Sequence, residues 1–165
     1  MNVRRLLKLG QLLEVQDAAR IWRAIDAGVS AAAQSLPASV RNVKVYFEVN
    51  QGPYAAGESS FIGETLTRLG AKNIVPASLG PFPKLNPEFI VRANPDLIMI
   101  GQRSADGLAA RPGWQGIRAL REQRVCIFPP EQADMLVRPG PRMSEAARLM
   151  AQCLLKKMPA PGGKP

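Results

Sequence analysis

Tyr54, Phe82, Asp134 and Arg138 are the residues of this chain whose types suit recognition chemistry. Two aromatic faces can stack on a flat ring system. One carboxylate and one guanidinium can orient its polar edge by hydrogen bonds. All four fall in segments that follow readable strands: 50–58, 76–86, 101–111 and 129–140. In a parallel sheet such segments emerge on one edge, which is where ligands bind in open α/β folds. Trp114 lies near the same edge. Each residue also has a structural alternative. Tyr54, between Pro53 and Ala55, can staple its loop. Phe82, between two prolines, can plug against the core. Trp114 can belong to the core of its own short helix. Asp134 can cap a turn or pair with Arg138.

Bond-making chemistry finds little support. The chain has no histidine, so the commonest general base and metal ligand is missing. No Gly-x-Gly-x-x-Gly follows the first strand, no Walker sequence is present, and a serine triad lacks its histidine. Cys126 and Cys153 form neither a Cys-x-x-Cys pair nor a zinc spacing. Both read as buried small apolar residues, with a disulfide between them left open. The expectation is a binding protein with no catalytic residue, no metal site and no required cofactor.

The elements that must position the four residues are readable from periodicity. Residues 17–36 suit a helix with Ile21, Ile25, Val29 and Leu36 near one stripe, Asp17 as cap and Pro37 at the exit. A shorter helix fits Arg5–Leu13. Val43–Val49 reads as a buried strand. Ser59 or Ser60 caps a helix ending before Gly70. Asn73–Val75 is a short strand, and Asn86-Pro87-Glu88 opens another helix. Asp96–Ile100 and Arg124–Phe128 are strands, with a short helix within 111–120 between them. Pro141 opens a last helix with Met143, Ala147, Met150 and Leu154 along one side. The alternation predicts an α/β fold: a three-layer αβα lobe with a mostly parallel sheet, preceded by a long N-terminal helix.

At 165 residues the chain suits one domain with a helical appendage. The formal charge is +9, and the basic residues are scattered rather than blocked. They read as a solvated surface, with no nucleic-acid partner expected; a basic nucleic-acid-binding α/β domain is the alternative of another class. The first ten residues resemble a signal peptide only briefly, because Lys8 and Glu14 interrupt the apolar run.

Val43–Gly57, Gly70–Val75, Asn94-Pro-Asp96, Arg111-Pro-Gly-Trp114 and Arg138-Pro-Gly-Pro-Arg142, taken in order, resemble the periplasmic cobalamin-binding proteins of ABC importers. More broadly they resemble receptors for corrinoids, haem and ferric siderophores built on one backbone helix. The resemblance covers about residues 5–155. It implies non-covalent capture of cobalamin, with haem or a ferric siderophore as alternatives, and delivery to an importer permease in the periplasm. It implies ligand contacts at Tyr54, Phe82, Asp134 and Arg138, and permease docking at Glu88. Residues 1–40 then correspond to an N-terminal segment and the interlobe helix, 41–157 to the C-terminal ligand-binding lobe, and 158–165 to a disordered tail. Relative to that family one lobe is absent, and the exposed half-cleft or the helix could pair two copies.

Overall fold

The computed structural model describes Lys8 and residues 17–158. The Arg5–Leu13 helix, apart from Lys8, and the tail beyond Met158 therefore fall outside the described residues.

The long helix α1 spans Ala18–Gln34. Ile25 and Val29 are buried and Leu36, beyond its end, is half-buried, but Ile21 is 39% exposed and Trp22 packs on the core in its place. Asp17 stands at the start yet makes no capping bond; its carboxylate accepts from Arg20 instead. The central strand β1, Lys44–Asn50, is a run of β-branched and aromatic residues buried on both faces. Such a run belongs in the middle of a parallel sheet.

Helix α2, Phe61–Arg68, begins at Ser60, whose hydroxyl accepts from the Gly63 amide at 3.0 Å. It returns the chain to β3, Lys72–Asn73. Helix α3, Pro87–Ala93, starts as the sequence suggests. Asn86 Oδ1 accepts from the Glu88 amide, and Pro87 fills a position needing no N–H. Strand β4, Leu97–Gly101, leads into the short α4, Gln102–Ala105. Two 3₁₀ turns and α5, Arg118–Arg121, then precede β5, Val125–Phe128.

Beyond β5 the segment expected as a loop is helical. Helix α6 spans Pro130–Val137, with proline in its first turn followed by Glu131. That start signal resembles the one at Asn86–Glu88 and was equally available in the sequence. Helix α7, Met143–Lys157, starts two residues after Pro141.

β4 and β5 run parallel to β1 on one side, and β3 runs parallel on the other. The two-residue strand β2, Tyr54–Ala55, has no periodic signal of its own and pairs antiparallel with the end of β1. The sheet is thus mixed but mostly parallel. Val45, Phe47, Leu97 and Met99 face α1, α2, α6 and α7. Tyr46, Ile98 and Ile100 face α3, α5 and the 3₁₀ turns, where Trp114 is fully buried. This alternation produces the three layers. Helices α1 and α7 approach so closely that a Cβ at Gly28 would be driven into the Ser144 side chain. Cys126 and Cys153 are joined as a disulfide that ties β5 to α7, so they are not free buried thiols.

Candidate functional site

The rim at the carboxyl ends of β1, β4 and β5 is built from paired backbone. The Ala55 amide donates to the Pro83 carbonyl at 3.0 Å, and the Gly57 amide to the Pro81 carbonyl at 2.8 Å. The Leu85 amide returns a bond to the Pro53 carbonyl at 3.0 Å. Residues 53–57 and 81–85 therefore form a two-stranded shelf. Gly57 is required where they meet, because a Cβ there would collide with the Gly80 carbonyl oxygen.

Tyr54 and Phe82 stand on these paired segments, 40% and 43% exposed. The Lys84 ammonium lies 5.9 Å from the Tyr54 ring centre. Phe82 rests edge-on against Phe61, with ring centres 6.1 Å apart. Neither ring is buried as a core plug.

A cavity of about 220 Å³ lies beside the shelf, between the end of β1, α4 and α6. Its floor is apolar, with Phe47 and Phe128 stacked at 6.5 Å. Its lining also carries Asn50, Arg103 and Asp134. Gln51 Nε2 donates to the Arg103 carbonyl at 2.8 Å, which ties the turn after β1 to α4. Asp134 also borders a shallower recess of about 280 Å³ that contains Arg138. Asp134 sits on α6 rather than in a loop, and Arg138 is the residue that ends this helix. Both are exposed, and among the described residues neither makes an ion pair. The four expected residues thus occur as two pairs, Tyr54 with Phe82 and Asp134 with Arg138. The cavity that Asn50, Arg103 and Asp134 help line lies at the carboxyl ends of β1 and β4. Glu88 is exposed in the first turn of α3, without an ion partner among the described residues.

A buried polar group beneath this edge was not anticipated. The Glu48 side chain is fully buried and lines the cavity. Arg111 donates to both its oxygens, at 2.7 and 2.8 Å, and Tyr46 donates at 2.9 Å. Arg111 also donates to the Ser104 carbonyl and stacks on Trp114 at 4.6 Å. Burial, reinforced by the Glu48 charge and hydrogen bond, pushes the Tyr46 phenol above its ordinary range. The hydrogen bond to Glu48 likewise raises Arg111. Arg111 is consequently committed to a structural pair rather than free to meet a ligand, and Tyr46 is unsuited to bind iron at the rim. The sequence signal was a glutamate inside the apolar run Val45–Val49; a charge there demands a partner.

The rim thus stands on an α/β lobe with a mostly parallel sheet, preceded by a long helix. The family model described as periplasmic binding protein matches residues 2–132, and the chain belongs to that family. Membership supports a periplasmic location and a non-enzymatic role. Among the described residues no group of three or more His, Cys, Asp or Glu side chains could hold a metal ion.

Solved structures share the fold. One, from Staphylococcus epidermidis ATCC 12228, is described as a possible iron-binding (periplasmic solute-binding) protein. It is 25% identical, with a TM-score of 0.74 over 90% of this chain and 59% of its own. The periplasmic haem-binding protein BhuT, with two haems, is 24% identical, with a TM-score of 0.68 over 92% and 60%. The vitamin B12-binding protein BtuF of Vibrio cholerae is 20% identical, with a TM-score of 0.70 over 88% and 55%. The chain therefore spans less than two thirds of the length of these proteins. No curated protein matches it.

Proposed function

We propose that this chain is one lobe of an ABC-importer receptor that captures a flat organic cargo and presents it to a permease. Cobalamin or another corrinoid is the leading cargo. The observation that carries this reading is the shelf: two exposed rings on hydrogen-bonded segments, with Asp134 and Arg138 farther along the same edge. Tyr54 and Phe82 would stack on the ring system, and Asp134 and Arg138 would hydrogen-bond its amide fringe. Glu88 would meet arginines of the permease. Residues 17–36 would act as the interlobe helix and 41–157 as the ligand-binding lobe. Capture requires no cofactor and no covalent step.

Haem and ferric siderophores are the alternative cargoes. Of the two tyrosines only Tyr54 is free to meet a haem iron, because Tyr46 is buried against Glu48, and the chain has no histidine. Calorimetry and absorbance titrations with cyanocobalamin, haemin and a ferric hydroxamate separate the three. Binding of cyanocobalamin that weakens in Tyr54→Ala and Phe82→Ala is expected. Heat or spectral change with none of the three overturns the reading. A second copy meeting through the shelf or α1 is also proposed; sedimentation returning only monomer ends that part.

A further inference from the structure

We infer that the pole opposite the shelf, where strands begin and helices end, docks on the anionic phospholipid headgroups of a membrane surface. This surface is independent of which cargo the shelf takes.

The basic residues at this pole form one strip. Lys44 and Lys72 are direct neighbours in the pairing of β1 with β3. The amide of Asn42 donates to the Gly70 carbonyl at 2.8 Å, bringing the Arg41 stem under Gly70. On the other side Asp96 donates its amide to the Lys44 carbonyl, and Arg118 reaches the Asp96 carboxylate at 3.3 Å. Arg118 and Arg124 both hold Glu122, and the Lys157 ammonium donates to the neighbouring Gln123 carbonyl at 3.1 Å. The strip is therefore continuous from Arg41 to the end of α7.

Its charge is uncompensated. Asp96 and Glu122 are already engaged by arginines. Arg41, Lys72, Arg121 and Lys156 are exposed, and none makes an ion pair among the described residues. Helix dipoles draw cations to helix carboxyl ends and account for Lys156 and Lys157. They do not account for Arg41, in a turn, or Lys72, at the start of a strand.

The surroundings favour lipid over nucleic acid. Bases need aromatic platforms, and the exposed aromatics Tyr54 and Phe82 are on the shelf. The exposed apolar residue beside this strip is Leu155, next to Lys156. A basic surface with one aliphatic tip suits headgroups above an acyl boundary. Docked this way, the shelf faces the solution during capture, and presentation to a permease on the shelf side, where Glu88 opens α3, follows release from the headgroups. Arg and Lys supply the whole attraction and the chain has no histidine, so binding should depend on salt and stay flat with pH near neutrality.

Vesicle sedimentation of the unmodified chain tests this. Phosphatidylglycerol-containing vesicles should bind it at low salt and lose about tenfold in affinity by about 0.5 M salt, while phosphatidylcholine vesicles bind little. Lys72→Gln with Lys156→Gln should weaken binding about three- to tenfold, whereas Arg23→Gln with Arg148→Gln, the same charge removed elsewhere, should change it less than twofold. Amine acylation on the unmodified chain gives an independent readout: vesicles should protect Lys72 and Lys156 but not Lys84 on the shelf. Equal loss in both double variants, protection of Lys84 instead, binding to neutral vesicles, or binding to duplex DNA without binding to vesicles overturns the inference.

Discussion

Arg111 closes on both oxygens of Glu48, and the two residues lie 63 positions apart in the chain. Glu48 belongs to the central strand and Arg111 to the segment after β4. The pair therefore fixes that segment against the sheet just below the cavity. It also fixes part of the cavity wall, since Glu48 lines the cavity.

Breaking this pair from one side should be severe. Arg111→Met leaves a fully buried carboxylate whose other hydrogen-bond partner is Tyr46. A loss of about 3–5 kcal/mol is expected in urea unfolding. The double variant Glu48→Leu with Arg111→Met should recover much of it, because no charge then remains buried. A single variant within about 0.5 kcal/mol of the parent would show that the pair is not holding the fold.

The same cluster predicts a response to alkali. The Tyr46 phenol is raised above its ordinary value of 10.0, chiefly by burial. Below that value folded and unfolded states both hold the proton, and its contribution is fully present. Above it the unfolded chain loses the proton while the folded chain keeps it. Stability should then fall with a slope of up to about 1.4 kcal/mol per pH unit from this group. Unfolding measured above about pH 10 should show the fall, and Tyr46→Phe should lessen it. An identical slope in the variant removes Tyr46 as the cause.

The disulfide closes a loop between residues 27 apart, joining an edge strand to the last helix. Constraint of the unfolded chain over such a loop contributes about 3–4 kcal/mol. Cys126→Ser with Cys153→Ala should lower stability by that order, and reduction of the parent protein should do the same. Intact-mass measurement after thiol labelling checks the bond itself: the folded, unreduced protein should take up no label.

Much of the layered fold was legible because its signals are local. The β1 run, the Ser60 cap and the Asn86-Pro87-Glu88 start each depend on residues within one turn or strand. What escaped were features set by distant partners. β2 has only two residues and exists because β1 and the 81–85 segment hold it on either side. Ile21 fits the helical stripe but lies beyond the core's reach, which Trp22 fills. Arg111 carries no local sign of its role, because its partner Glu48 lies 63 positions away. Asp134 lies in a segment expected as a loop that is helical, although Pro130 and Glu131 mark a helix start.

The shelf makes a prediction about glycine. Gly57→Ala would press a methyl group on the Gly80 carbonyl and separate the two segments that carry Tyr54 and Phe82. Overpacking against backbone of this kind costs about 1–3 kcal/mol. Amide exchange is the sharper readout, since the Ala55 and Gly57 amides are bonded across the shelf. Both should be protected in the parent and exchange faster in the variant. Unchanged protection would mean that the segments yield without parting.

Stability and affinity should separate at the two rings. Tyr54 packs little, so Tyr54→Ala should change stability by about 0.5 kcal/mol or less. Phe82 contacts Phe61 edge-on, and Phe82→Ala should cost about 1 kcal/mol. Each ring stacked on a flat cargo would contribute far more to binding than to folding, and an affinity loss of about tenfold per ring is expected from calorimetry. The effects should be less than additive if both rings contact one ring system, because removing the first loosens the seat of the second. Strict additivity would place the rings on separate parts of the cargo. Loss of stability without loss of affinity would make them props of the rim, and the stacking role would then fail.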